Sequence, residues 1–217
     1  MNIRGRSLPS ALVFIAALLI LIETLGFASL QPGYSHVANT ISKLGETGAP
    51  HARLVAFGFF LPVGVLVWLA LWLVHRQTPD VSLMLLALSC LGTGYALAAF
   101  FPCDPGAPSF GSWRTLVHNG LGCLDYAGTG TGFLLVARHF AGQKTSAPAA
   151  AFLVAGTLVL IGLSLLCLEP MRPLRGAVQR VTEVAQFTGV FFVCSWLSGQ
   201  RNSAEQNRRN GARYGIR

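Results

Sequence analysis

Residues that could activate a nucleophile or bind a metal ion are concentrated in one short stretch, YSHVANTISKLGETGAPH, at residues 34–51. This polar, turn-rich segment separates two very apolar runs and contains His36 and Ser42. A serine hydroxyl beside an imidazole base is a common arrangement in nucleophilic catalysis. Imidazole together with carboxylate can instead bind zinc and leave a coordination position for water. Both chemistries remain open at this point.

Further polar candidates follow along the chain. Asp104 lies in a Pro-Cys-Asp-Pro turn, and His118 precedes Asp125 by seven residues, which places both on one face of a helix. The residues predicted to be catalytic are His36, Ser42, Asp104, His118 and Asp125. Those predicted to bind zinc or another divalent metal are His36, Asp104 and His118.

The segments that must position these residues have the composition of a membrane protein. Of 217 residues, 53% are hydrophobic and only 11% are charged, whereas soluble domains average about 25% charged residues. Six apolar segments have about the length that a helix needs to cross a bilayer. The sequence therefore predicts an all-α, polytopic bundle of six transmembrane helices at residues 8–30, 52–75, 81–101, 115–137, 149–168 and 174–197.

The basic residues predict the orientation of this bundle. Ten Lys and Arg residues fall on the side of the termini and five on the opposite side. Because cytoplasmic loops carry the excess of basic residues, both termini are predicted to be cytoplasmic in the cell inner membrane. Residues 200–217 are predicted to form a basic, disordered tail near anionic lipid headgroups, so the net charge of +8 requires no nucleic-acid partner.

The same orientation places basic residues beside the polar cluster, where they could hold a phosphate headgroup. Glu183 shares one face of the last helix with Gln179 and Gln186. The residues predicted to bind substrate are Lys43, Arg172, Arg175 and Glu183.

Ionisable residues within the predicted helices are functional candidates, because an unpaired charge in a bilayer is costly. Glu23, Asp125 and Glu183 are of this kind, although Arg180 stands three residues before Glu183 and could form an ion pair with it. The five cysteines show no metal-type spacing. The sequence leaves undecided whether Cys103 and Cys167 form a disulfide, which would require their side of the membrane to be oxidising.

The segment YSHVANTISKLGETGAPHA, followed by FPCDPG and by His118 in the next helix, resembles an uncharacterised prokaryotic membrane family. It is the domain-of-unknown-function family numbered nine hundred and ninety-eight. The matching positions are Tyr34, Ser35, His36, Ser42, Gly45, Pro102, Cys103 and Asp104. The resemblance implies an integral membrane protein of six or seven helices and no established activity.

Three functions remain open. The first is a membrane-embedded hydrolase or transferase acting on lipid-like substrates, although no HExxH or GxSxG signature is present. It requires His118 and Asp104 to reach one common atom. The second is a small proton- or cation-coupled transporter, which requires a polar path past Asp125 to the cytoplasm. The third is a non-catalytic accessory or sensor protein whose outer loops dock a partner.

Overall fold

The structure, a computed structural model, describes the backbone of residues 4–213 and the side chains of residues 8–199. Within these residues the chain forms six long helices and no strand. The helices are α1 (Arg4–Ala28), α2 (Ala52–His75), α3 (Ser82–Ala98), α4 (Trp113–Gly142), α5 (Ser146–Cys167) and α6 (Arg175–Arg213). Short 3-10 turns lie at Ile41–Gly45, Pro79–Val81 and Glu169–Leu174.

Five of these helices are long and apolar enough to cross a membrane, namely all except α4. Helix α4 falls short in composition because its first half contains polar residues such as His118, Asn119 and Asp125. Large apolar side chains cover the outside of the bundle; Leu86 and Val184, for example, are each 67% exposed. A water-soluble protein rarely exposes so much apolar surface, whereas lipid would cover it. The prediction of an all-helical membrane bundle is thus confirmed at this level.

The helices pack in a closed ring in which each contacts its neighbours in sequence, and α6 returns to contact α1. Because successive helices run in opposite directions, the three longer connections emerge at the same end of the ring. We call this end, formed by residues 29–51, 99–112 and 168–174, the loop face. The short connections at residues 76–81 and 143–145 lie at the opposite end.

Several helix boundaries differ from the sequence prediction; α4, for example, ends at Gly142 rather than at residue 137. Helix α3 ends at Ala98 rather than near 101, since Pro102 disfavours a helical conformation in the residue before it. Helix α6 continues to Arg213, beyond the predicted end at 197. The side chains of the predicted tail, residues 200–217, lie outside those that the structure describes, and its disorder stays a prediction.

Glycine allows several neighbouring helices to approach closely. Gly64 of α2 lies against Gly92 and Ala96 of α3, and a Cβ atom added to Gly64 would lie 2.5 Å from both the Gly92 carbonyl oxygen and the Ala96 backbone nitrogen. Backbone atoms cannot move aside as the end of a flexible side chain can. Small residues at such contacts are typical of membrane helices, where close packing provides much of the association energy.

We predict that Gly64→Ala destabilises the protein by about 1–3 kcal/mol, the usual cost of overpacking a filled contact. Gly120→Ala is the matched control, because nothing lies within 4 Å of the position of its added Cβ atom and alanine favours helix more than glycine by about 1 kcal/mol. Thermal unfolding in detergent measures both variants. Equal melting temperatures for the Gly64→Ala and Gly120→Ala variants would contradict the packing role of Gly64.

Candidate functional site

Arg180 of α6 fastens the first loop to the bundle. Its guanidinium donates hydrogen bonds to the carbonyl oxygens of His36 (2.8 Å) and Asn39 (2.9 Å) and to the Tyr34 hydroxyl (2.7 Å). The sequence suggested an ion pair between Arg180 and Glu183. No such pair is present among the described side chains, because the guanidinium donates to the loop carbonyls and to the Gly176 carbonyl of its own helix instead.

Further hydrogen bonds join the three loops into one cap over the bundle. They run from Ile41 N to Gln179 Oε1 (2.7 Å), from Thr47 N to the Cys103 carbonyl (2.8 Å), from Gly106 N to Glu46 Oε2 (2.6 Å) and from Ser109 Oγ to Glu169 Oε1 (2.7 Å). Arg175 also pairs with Glu169 at 3.2 Å. The Ser109 hydrogen bond and the Arg175 ion pair lower the pKa of the Glu169 carboxyl.

Asp104, a predicted catalytic and metal-binding residue, forms hydrogen bonds that stabilise the start of α4. Its carboxylate accepts hydrogen bonds from the backbone nitrogen of Ser112 (2.6 Å) and from the Ser112 hydroxyl (2.8 Å). Its own backbone nitrogen donates to Thr115 Oγ1 at 2.8 Å. The bonds from Ser112, the backbone one first, lower the pKa of Asp104. Both carboxylate oxygens are therefore occupied at the helix start.

The predicted metal ligands are engaged separately. His36 is exposed, with its ring edge-to-face against Tyr34 at a centroid distance of 5.5 Å. His118 is buried, with Nδ1 2.8 Å from the Phe101 carbonyl oxygen. Across the side chains that the structure describes, no three His, Cys, Asp or Glu residues come together to hold a metal ion. The metal site on His36, Asp104 and His118 is not confirmed.

Two adjoining cavities lie beneath the cap and share five lining residues. The outer one, which we call the vestibule, has a volume of about 340 Å³ and is lined partly by Asn119, Leu163 and Arg175. The inner chamber, of about 50 Å³, extends between the helices to Asp125 and Glu183. A water molecule needs about 10–15 Å³ of such volume, so the chamber has room for a few. The residues that line both cavities are Ser42, His118, Gly122, Tyr126 and Gln179.

His118 stands at the junction with a defined proton arrangement. Its partner, the Phe101 carbonyl, can only accept a hydrogen bond, so Nδ1 must carry the proton. In the neutral imidazole, Nε2 then keeps a free lone pair that can accept a proton. Ser42, from the turn Ile41–Gly45, lines the same junction. Three of the five predicted catalytic residues, Ser42, His118 and Asp125, thus line the chamber, and the first two also line the vestibule.

The inner chamber contains two buried acids that form no ion pair with a described side chain. Asp125 Oδ1 accepts hydrogen bonds from Gln186 Nε2 (2.8 Å) and Thr129 Oγ1 (3.3 Å). Glu183 Oε1 accepts one from the Tyr126 hydroxyl at 3.2 Å. The ion pair recorded among the described side chains is at Glu169, outside the chamber. Amide and hydroxyl groups, rather than Lys or Arg, therefore surround these acids.

Glu23 of α1 is a third acid within the bundle and is fully buried. Its Oε2 accepts a hydrogen bond from Thr24 Oγ1 at 3.2 Å. It lines neither of the two cavities. Glu23 therefore resembles the chamber acids in its burial and its hydrogen bonding, but it lies outside both cavities.

The polar path ends beyond the chamber. Towards the opposite end of the bundle, Phe133 is fully buried, Phe140 stacks on Phe152 with centroids 5.7 Å apart, and Phe140 approaches Trp196 at 4.0 Å. These aromatic side chains fill the space between α4, α5 and α6. Among the side chains of residues 8–199, aromatic packing thus occupies the route beyond the chamber along which a transporter would need polar groups.

Two of the four residues predicted to bind substrate line a cavity. Arg175 lines the vestibule and Glu183 the chamber, whereas Lys43 and Arg172 line neither.

All five cysteines are free. The Cys103 thiol is buried, which raises its pKa to about 12, and it faces the Ser42 carbonyl at 3.7 Å. The disulfide between Cys103 and Cys167, which the sequence left open, is absent from the structure.

Tyr95 and Tyr126 are buried beside the acids. Neither was predicted from the sequence to be a site residue. Each is a single tyrosine within an otherwise apolar or glycine-rich helix. A buried phenol usually finds a polar partner, so its position in such a run is a signal that could have indicated the chamber.

We predict that Arg180→Lys loosens the first loop, because an ammonium group cannot reproduce the fixed fork of donors that reaches three acceptors. Each lost hydrogen bond to a charged group is worth about 1.5–3 kcal/mol. Limited proteolysis with trypsin at Lys43 should become faster and the melting temperature should fall. Arg172→Lys, at an exposed position, is the control. Unchanged proteolysis in Arg180→Lys would contradict this role.

Comparison with known proteins identifies the family of the chain. A family model described as "Protein of unknown function (DUF998)" matches residues 14–196. Comparison with curated proteins and with solved structures gives no match. The match covers the cap, both cavities and most of every helix of the ring, and the chain therefore belongs to the DUF998 family.

Proposed function

We propose that this membrane protein is a hydrolase or transferase acting on a lipid-like substrate bound in the vestibule. The observation that carries the proposal is the position of Ser42 and His118 at the junction of the two cavities. A buried imidazole whose Nδ1 is fixed on a carbonyl resembles the oriented base of nucleophilic enzymes. No step of this proposal uses a metal ion.

In the proposed reaction, Ser42 Oγ attacks the electrophilic centre of an ester or phosphoester. His118 Nε2 takes the hydroxyl proton and then passes it to the departing alcohol. Water, or an acceptor alcohol in a transferase, next attacks the serine-bound intermediate and releases it with the same proton movements reversed. Asp125 and Glu183 hold water in the chamber next to this centre.

The mixed lining of the vestibule supports an amphiphilic substrate. Ser109, Asn119, Glu169 and Arg175 make one part of the lining polar, while Leu163 and Leu166 provide an apolar wall. We assign a phosphate headgroup to Arg175, the cation in this lining; the headgroup would compete with Glu169, which also lines the vestibule and pairs with Arg175 at 3.2 Å. Lys43 and Arg172 lie outside the lining and have no place in this assignment.

A second candidate is proton- or cation-coupled transport, which the unpaired acids Asp125 and Glu183 favour. It requires the aromatic packing around Phe133 and Phe140 to open in another conformation. The two candidates differ in whether Ser42 is reactive.

We predict that a fluorophosphonate probe labels Ser42 covalently in detergent-purified protein. Ser42→Ala should abolish labelling of this peptide, and His118→Ala should slow it by about 10²–10⁴-fold, the usual contribution of a general base. Ser35→Ala, at an exposed position in the same loop, should label normally. Mass spectrometry of the labelled peptide provides the readout.

A probe that leaves Ser42 unlabelled, or labels it equally in His118→Ala, would contradict the serine mechanism. The transport candidate would then be tested through proton flux in proteoliposomes.

We further propose six membrane crossings, with both termini in the cytoplasm of a cell whose inner membrane holds the protein. Helix α4 is the sixth crossing: its 30 residues span about 45 Å at 1.5 Å per residue, and it packs between α3 and α5 in the ring. The excess of basic residues on the side of the termini supports the orientation. The basic tail would then lie against anionic lipid headgroups.

A membrane-impermeant maleimide tests this orientation in spheroplasts. In a background in which all five cysteines are replaced, Phe110→Cys on the loop face should be labelled from outside. Gln143→Cys, in the connection at the opposite end, should be labelled only after permeabilisation. The reverse pattern would contradict the proposed orientation, and labelling of both from outside would contradict the single crossing by α4 that separates them.

A further inference from the structure

A large crevice lies between the end of α4 and the beginning of α5, at the end of the bundle opposite the loop face. Its volume is about 730 Å³. Alanines form much of its lining and leave a trough between the two helices, with Leu134 and Leu153 at its sides. None of its lining residues borders the vestibule or the chamber. The crevice is therefore a separate feature from the proposed active site.

The lining of this crevice carries positive charge and no acidic side chain. Arg138 and Lys144 both line it, and both are exposed. Asp80 borders a neighbouring crevice on the other side of Arg138, but neither basic residue forms an ion pair among the described side chains. Two cations are thus available to a ligand at the open end of an apolar trough.

The first turn of α5 adds to this positive potential. Thr145, at the N-cap, makes no capping hydrogen bond to the helix, because its hydroxyl donates to the Phe140 carbonyl at 2.9 Å. The backbone N–H groups at Ser146 and Ala147 therefore lack a side-chain cap. The start of a helix of 22 residues attracts anions through such groups and through the helix dipole.

We propose that this crevice binds an anionic phospholipid. The phosphate would lie between Arg138, Lys144 and the start of α5, and an acyl chain would lie in the alanine trough. Charge complementarity favours an anionic headgroup, and the apolar volume is far larger than a phosphate ion alone would occupy. The ends of membrane helices lie at the depth of the headgroups, so the proposed site has the right position in either orientation of the protein.

The test measures binding of dioleoylphosphatidylglycerol and dioleoylphosphatidylcholine to the full chain by native mass spectrometry. The anionic lipid should bind preferentially. Arg138→Gln and Lys144→Gln should each weaken its binding about five-fold, and the double variant about thirty-fold, as expected for about 1 kcal/mol per basic residue. The double variant Arg53→Gln, Arg114→Gln removes the same charge at the loop face and should bind normally.

A second variant tests the trough without changing charge. Ala150→Phe, at an exposed position in the lining, should fill the trough and also abolish the preference for the anionic lipid. Equal binding of both lipids would identify annular lipid only and overturn the proposal. Competition by soluble glycerol phosphate at the lipid's own concentration would show a site for free phosphate and would equally overturn it.

Discussion

The hydrogen bonds of Arg180 are the interaction on which the loop face depends. The first loop runs over the end of an apolar bundle, where unpaired backbone carbonyls would be costly. Arg180 supplies donors to two of these carbonyls and to the Tyr34 hydroxyl, and thereby holds the turn Ile41–Gly45 above the chamber. Ser42 belongs to this turn and lines the same two cavities as His118. An arginine within a membrane helix thus serves the architecture of a site that it does not line.

The acids within the bundle are also buried polar groups that need hydrogen-bond partners. Amide and hydroxyl groups donate hydrogen bonds to them, and none of them forms an ion pair with a described side chain, an arrangement that suits groups that exchange protons or hold water. Glycine provides the space: a Cβ atom on Gly94 of α3 would lie 2.7 Å from the Cβ atom of Asp125. The small residues therefore make room for the site as well as for close helix packing.

The two ends of the bundle have different character because of how their chain segments are built. Long, turn-rich loops at one end fold into a cap with cavities beneath it, whereas short connections at the other leave helix ends and an open crevice. Aromatic side chains around Phe133 and Phe140 separate the two ends. A site at the loop face and a lipid site at the opposite face can therefore exist in one small protein without sharing residues.

The sequence by itself determined that this is an all-helical membrane protein with polar residues gathered towards one end. Length and apolarity define the helices, and spacing along a helix correctly placed His118 and Asp125 on one inward face. Only the tertiary structure decided what each polar group does. Asp104 begins α4, His36 faces outward and Arg180 binds loop carbonyls, each different from its predicted use. Periodicity reveals the face that a residue occupies, but its partner can lie more than a hundred residues away, as Arg180 and His36 do, and only packing brings the two together.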